Sequence, residues 1–420
     1  MDKNWKDKLR HKIANEYGNL ITRDSVGIEQ IREIATKALD DLALREKAYL
    51  ALEEKQRIVN DLVNEFVGLG PLDPFLQDPL VSEIMINGTR NVYVEKAGKK
   101  EKVDFGQLNE KLLMFIIYKF LAPTRRRVDE SCPFADVSLK EDGSRVNIII
   151  PPLALDGPVI TIRKFTKELK IVEDLVRAGT LDQRMSDFLV ACIKAKVNII
   201  FSGATGSGKT TTLNVLSSYI SPNERIITIE DTAELRLSQE HVVRLETKQA
   251  NIEGKGEINL RDLFKNSLRM RPERIILGEI RGPEALDMLQ AICSGHTGSL
   301  AVLHANSPQD VVYRLETMIL TSGLQISLEA IHRQIATAIN IIVQQEQLPD
   351  GSRKITHITQ VNGLNQSQVV LEDLFTYELE SVDPEGRSQG EWRASGITPS
   401  FSRLFKKAGI NLPPNLFTKD

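Results

Sequence analysis

The chain has 420 residues, 41% of them hydrophobic and 26% charged, with a formal net charge of −3. That length suits two or three domains of ordinary soluble composition, and the charge balance leaves no general nucleic-acid footprint. Cys132, Cys192 and Cys293 are few and far apart, which argues against a disulfide framework and for a reducing, cytoplasmic setting. The first residues lack the apolar core of a signal peptide, and no apolar run approaches the ~20 residues that span a bilayer.

In chain order, residues 1–67 are charged and helical in pattern. Ile28, Ile31, Ala35, Ala38 and Leu42 recur at spacings of three and four, a seam facing another helix. A second helix carries Ile58, Leu62 and Phe66. The heptad does not persist, so a small N-terminal helical bundle is expected rather than a long coiled coil. Gly68-Leu-Gly-Pro71-Leu-Asp-Pro74 ends the helical pattern.

Residues 75–165 read as a small α+β domain. Strands are expected at 83–86, 92–95, 144–150 and 159–165, with one helix over 109–120. Asn87-Gly88 and Asp142-Gly143 supply turns, and Arg125-Arg126-Arg127 forms a local basic cluster. Residues 166–180 read as a linker. From 181 to 380 strands alternate with helices, which implies a mainly parallel sheet covered by helices. The strands fall at 197–202, 225–230, 242–246, 274–280 and 299–304, and the helices at 209–220, 260–269, 283–293, 309–320 and 328–339. Residues 340–345, 354–361 and 369–377 read as antiparallel additions at the far edge. Residues 381–420 form a tail with little regular pattern, in which Phe401, Leu404 and Phe405 make a short apolar docking face.

The chemistry starts where the strand at 197–202 runs into Gly203-Ala204-Thr205-Gly206-Ser207-Gly208-Lys209-Thr210-Thr211. This is the G-x-x-x-x-G-K-[ST] phosphate-binding pattern in its strand–loop–helix context. Glycines at 203, 206 and 208 let successive N–H groups aim inward, and the following helix adds its positive end. Lys209 can then reach the β- and γ-phosphates of a nucleoside triphosphate, and the Thr210 hydroxyl can ligate Mg²⁺.

Three more stretches end predicted strands, where open α/β sheets bind ligands. Ile226-Ile-Thr-Ile-Glu230-Asp231 offers a carboxylate to activate a water. Arg274-Ile-Ile-Leu-Gly278-Glu279-Ile-Arg281-Gly282 resembles a Walker B strand with Gly278 at the usual Asp position. Glu279 is then the acid left to hold Mg²⁺, and the water-activating role shifts to Glu230. Gly295-His296-Thr-Gly298-Ser-Leu-Ala-Val-Leu-His304-Ala-Asn306 places histidines at both ends of a strand. An imidazole N–H near the γ-phosphate senses it or stabilises charge, a role assigned first to His304 and then to His296. No Cys/His spacing suits zinc.

In order and spacing these boxes resemble the type II/type IV secretion ATPases, most closely the CpaF/TadA branch that powers Flp-type (Tad) pilus assembly. The resemblance covers roughly residues 60–380. It extends to Gly68-Leu-Gly-Pro-Leu, Arg126-Arg-Val-Asp-Glu-Ser131, Gly143-Ser-Arg-Val-Asn147, Ile150-Pro-Pro-Leu-Ala-Leu-Asp-Gly-Pro158, Thr161-Ile-Arg-Lys-Phe165, Val243-Arg-Leu-Glu-Thr247 and Asn251-Ile-Glu-Gly-Lys-Gly-Glu257. It implies a RecA-like P-loop motor domain, a smaller PAS-like α+β domain ahead of it, and a homohexameric ring. It also implies a cytoplasmic ATPase held at the inner membrane by an integral platform protein, with no membrane insertion and no nucleic-acid partner. Arg127, Arg145 and Arg163 sit in motifs matching those whose arginines help complete the nucleotide site. Two rival readings are a RecA-like DNA translocase of a conjugation-type system and a nucleotide-bound scaffold without hydrolysis.

Overall fold

The computed structural model describes residues 5, 8–9, 12–13, 28–46, 48–67, 69, 72–96, 98–103, 108–124, 126–139, 143–164, 169–248, 250, 255–384 and 386–419. Gly68, Gly70, Pro71, Arg125, Asp142, Phe165 and residues 251–254 lie outside them, as do the side chains of Ile28, Ile31, Leu62 and Phe66. Contacts divide the chain into two compact units, residues 1–165 and 166–420. The helical segment falls with the α+β domain in the first unit, and the expected linker and tail fall with the second.

In the first unit, α1 (Ile28–Arg45) and α2 (Leu52–Val67) bury Ala35, Ala38, Leu39, Ile58 and Val59 in a cluster of their own with Leu9 and Ile13. Small residues on the α1 seam let the helices approach closely, which the spacing of Ala35 and Ala38 anticipates. Six antiparallel strands follow, in the order β3-β2-β1-β6-β5-β4. They are β1 (Val81–Asn87), β2 (Asn91–Lys96), β3 (Lys99–Val103), β4 (Phe134–Ser138), β5 (Arg145–Ile149) and β6 (Val159–Arg163). A short helix, α3 (Asp73–Gln77), leads into them, and α4 (Glu110–Leu121) starts at Asn109, whose side chain accepts the Leu112 N–H at 2.8 Å.

Alternation sends Ile84, Ile162, Val146 and Val137 to one face, where they share a core with Leu113, Ile117 and Phe120 of α4. Glu83, Arg163 and Arg145 stand side by side in register on the opposite parity. The turn at Asn87-Gly88 needs its glycine: φ is +63°, and a Cβ there would lie 2.4 Å from the Asp156 carbonyl. Strands β3 and β4 are absent from the sequence expectation. The first, Lys-Lys-Glu-Lys-Val, is an edge strand without apolar alternation.

The second unit holds a nine-stranded sheet, ordered β15-β14-β13-β12-β7-β11-β10-β8-β9. The strands β7 (Ile199–Ser202), β8 (Ile226–Glu230), β9 (Val242–Glu246), β10 (Arg274–Ile280), β11 (Leu300–Leu303) and β12 (Ile341–Gln347) run parallel. The segment at 340–345 therefore joins the parallel sheet beside β7, contrary to the expected antiparallel addition. Only β13 (Arg353–Asn365), β14 (Gln368–Val382) and β15 (Ser388–Ala394) are antiparallel.

Both faces are covered, so every residue of β7, β8 and β11 is buried. Ile199 and Phe201 pack with α5 (Val172–Arg177), α6 (Gln183–Lys194) and α7 (Lys209–Ser217). Ile200 faces α8 (Leu260–Ser267), α9 (Glu284–Cys293), α10 (Pro308–Leu320) and α11 (Leu328–Ala338). At the amino-terminal pole of the sheet, Arg274 is 1% exposed. Its guanidinium donates to Glu224 at 2.7 Å and to the carbonyls of Ile193 and Gly298 at 2.6 and 3.1 Å. These bonds satisfy a buried charge that would otherwise be costly.

The tail completes the core of this unit. Phe401, which precedes α12 (Ser402–Lys407), and Phe405 within it bury with Leu416 and Phe417. The Phe188 ring lies 5.9 Å from Phe375, 6.1 Å from Phe405 and 5.3 Å from Phe417. Phe417→Ala should therefore lower unfolding free energy by about 3 kcal/mol or more in denaturant titrations of the full chain. An unchanged midpoint would mean that the tail is not part of this core.

Candidate nucleotide site

All six parallel strands point their carboxyl ends the same way, so the loops after β7, β8, β10 and β11 converge. The loop after β7 turns on three glycines with φ of +150°, +81° and +97° at 203, 206 and 208. A Cβ on Gly203 would meet the Gln345 carbonyl oxygen at 2.0 Å, so only glycine fits. Gly208 is the left-handed residue before α7, whose first residue is Lys209.

Lys209 is 5% exposed, and its ammonium donates to the Ala204 carbonyl at 2.7 Å. Ser207 Oγ is buried with no hydrogen-bond partner. Ala204 and Thr205 are exposed, and Thr210 and Thr211 half-buried. A cradle too tight for side chains, a buried ammonium and a helix amino terminus together fit the phosphates of a nucleoside triphosphate.

Two carboxylates stand in contrasting surroundings. Glu230, 3% exposed at the end of β8, accepts the N–H groups of Glu234 and Leu235 through Oε2 at 2.8 and 2.9 Å. Its Oε1 is buried without a partner. Burial raises its pKa above the usual carboxylate value, against those two bonds. The neighbouring strand explains the missing Walker B aspartate. A Cβ on Gly278 would lie 2.7 Å from Glu230 Cγ, so a glycine at 278 makes room for the buried Glu230 side chain.

Glu279 lies one residue further along β10. Burial works to raise its pKa, but His304 and Arg281 outweigh it and hold the group at about 2. His304 Nε2 is 3.1 Å from Oε1, and Arg281 Nη2 is 2.5 Å from Oε2. On the other side of the imidazole, Lys209 Nζ lies 3.4 Å from Nδ1. An ammonium only donates, so Nδ1 accepts and the proton sits on Nε2, facing Glu279. Arg281 also approaches Asp231 at 3.6 Å. A continuous chain of charge thus runs from Lys209 through His304, Glu279 and Arg281 to Asp231. The turn carrying Arg281 is fixed by Glu284 Oε1, which accepts the N–H groups of Arg281 and Gly282 at 2.7 Å each.

The structure brings together residues 203–211, Glu230, Glu279 and His304. It does not bring His296 there: that residue precedes β11 at the opposite pole, with Nδ1 3.2 Å from the Ala291 carbonyl. Arg127, Arg145 and Arg163 belong to the first unit. There Arg145 and Arg163 are directly opposite across β5 and β6, and Arg127 Nε lies 3.3 Å from Asp129. Among the described residues no cluster of three or more His, Cys, Asp and Glu side chains gathers as a metal site. Sequence reasoning missed Arg281 as a partner of Glu279, and missed Gln344, Gln345 and Arg353 altogether. The available signal was two successive glutamines closing the apolar run of β12.

The family described as "Type II/IV secretion system protein" matches residues 65–374, and the chain belongs to it. It is 33% identical over 305 residues to the protein VirB11 of Agrobacterium fabrum, covering 66% of this chain and 87% of that one. A putative conjugal transfer protein of Mycobacterium tuberculosis is 30% identical over 302 residues, covering 71% and 85%. The crystal structure of the pilus retraction motor PilT with bound ADP superposes with a TM-score of 0.53 at 20% identity, covering 82% of this chain and 87% of that one. The α/β fold is thus RecA-like, as the sequence led us to expect. Among the described residues no helix is long and apolar enough to cross a membrane.

The contact between residues 278 and 230 is directly testable. Gly278→Ala should destabilise the protein by about 1–3 kcal/mol, because Glu230 is anchored and cannot swing away. In a Glu230→Ala background the same substitution should cost much less, as coupled neighbours do. Equal costs in both backgrounds, measured by thermal or denaturant unfolding, would contradict the assignment.

Proposed function

We propose that the chain hydrolyses ATP to ADP and phosphate as a homohexameric motor, and that it powers assembly of a Flp/Tad-type filament. The observation that carries the catalytic part is the buried, unpartnered Oε1 of Glu230 at the strand ends that also hold the phosphate loop. Loop N–H groups and Lys209 hold the phosphates. Thr210 and Glu279 are the residues that would hold Mg²⁺, which when bound neutralises phosphate charge. Glu230, made more basic by burial, takes the proton of the attacking water. His304, whose Nε2 faces Glu279, sits where it would stabilise or sense the γ-phosphate once its hydrogen bond to that carboxylate is broken.

Arg163 stands between Arg145 on β5 and Glu83 on β1. With Arg127 the two arginines would complete the nucleotide site from the smaller domain, which makes hydrolysis depend on conformation. The Flp/Tad assignment rests on the CpaF/TadA-like stretches between Gly68 and Glu257. It implies an integral inner-membrane platform protein as partner and a cytoplasmic, peripherally held motor. A second reading, the ATPase of a conjugation-type transfer apparatus, is favoured by relatives named for conjugal transfer.

Phosphate release should collapse in Lys209→Ala, and wild-type turnover per subunit should rise with protein concentration as rings form. Arg163→Ala mixed into wild-type rings should depress their rate. Turnover independent of concentration and of Arg163 would leave a self-sufficient monomer and sink the ring. Hydrolysis stimulated by single-stranded DNA in a salt-sensitive manner would select the conjugation reading instead.

A further inference from the structure

One hairpin outside every recognised motif touches the phosphate loop at several points. On β12, Gln345 is 2% exposed, and its carbonyl oxygen backs Gly203 so closely that no Cβ fits between them. Its side-chain Oε1 accepts the Thr212 hydroxyl at 2.9 Å in α7. Its Nε2 lies 2.9 Å from where a Cβ on Gly208 would be. On the returning strand, Arg353 donates Nε–H to the Gly206 carbonyl at 2.9 Å. Gln344, fully buried, donates to the Ala305 carbonyl at 3.3 Å, one residue past His304.

A loop that aims its N–H groups at an anion must turn carbonyls outward, and those carbonyls need donors of their own. Arg353 supplies one to Gly206. The buried amides of Gln344 and Gln345 need partners as well, since burying them unpaired would be costly. The rest of the β12 core is apolar Ile341, Ile342 and Val343, so packing gives no reason for two glutamines there. Gln345 accepts from Thr212 in the helix behind the loop and Gln344 donates to the Ala305 carbonyl beside His304, while Gln344 Oε1 has no hydrogen-bond partner.

We propose that Gln345 and Arg353 are positioning residues for nucleotide phosphates: the β12–β13 hairpin braces the phosphate loop in its ligand-ready conformation. This rests on the reading of residues 203–210 as a nucleotide site. Neither residue needs to touch the reacting atoms. Removing either brace adds loop conformations that must be frozen out on binding, so the loss falls on affinity.

The test is calorimetric binding of Mg·ADP to the full-length protein, with melting temperatures taken alongside. Arg353→Gln and the volume-conserving Gln345→Met should each weaken ADP binding by about tenfold. The melting temperature without ligand should move little for Arg353→Gln, whose side chain is exposed. In steady state KM for ATP should rise while kcat changes much less. Arg353→Lys, which keeps a donor for the Gly206 carbonyl, should recover part of the affinity. ADP affinity within twofold of wild type in both variants, with Lys209→Ala abolishing it, would overturn the brace alone. Wild-type affinity in Lys209→Ala would overturn the nucleotide reading on which the brace rests.

Discussion

A carboxylate buried at the end of a β-strand with one oxygen unpaired is costly, and the second unit is built around one. Glu230 has its other oxygen tied to two N–H groups, so the side chain has a single setting. That setting requires the next strand to have no side chain at 278. The departure from the usual Walker B pattern and the burial of Glu230 are therefore one structural fact. Because burial raises the pKa of Glu230 in the folded state, its ionisation as pH rises above about 4.5 works against folding. The fold retains this destabilising group where the proposed chemistry needs a base.

The rest of the site surrounds that carboxylate with fixed charge. Glu279 is the opposite case, a carboxylate held ionised by His304 and Arg281. Two acids one strand apart thus differ because one faces cations and the other faces burial. The cations are engaged within the site: Lys209 with Ala204 and His304, and Arg281 with Glu279 and Asp231. Binding of a phosphate and a metal would exchange partners within this set rather than create charges in an apolar cavity.

Much of this was legible in the sequence, for identifiable reasons. The parallel strands are short apolar runs that end in glycine, acid or histidine, so their existence and the candidate residues at their ends could be read. The lone Gly278 pointed to Glu230 before any distance was known. What stayed hidden depends on pairing across long sequence separations. The place of β12 in the sheet follows from its register with Ile199 to Ser202, about 140 residues earlier. The edge strands β3 and β15 carry mostly polar and charged residues and bury little of either face, so apolar alternation does not mark them. The tail read as a surface docking segment, yet Phe405 and Phe417 close the core around Phe188, which aromatic content alone could not place. Likewise His296 and His304 flank the same strand, and the four residues of β11 between them put the two at opposite poles.

The assignment of Glu230 as the base that activates water is the centre of this account, and isosteric removal of its charge tests it most directly. Phosphate release by Glu230→Gln under saturating Mg·ATP should fall by about a hundredfold or more. Its affinity for Mg·ADP should stay at the wild-type value, and at neutral pH it should melt at a higher temperature than wild type. Turnover at the wild-type rate, in a protein that binds Mg·ADP normally, would contradict the account.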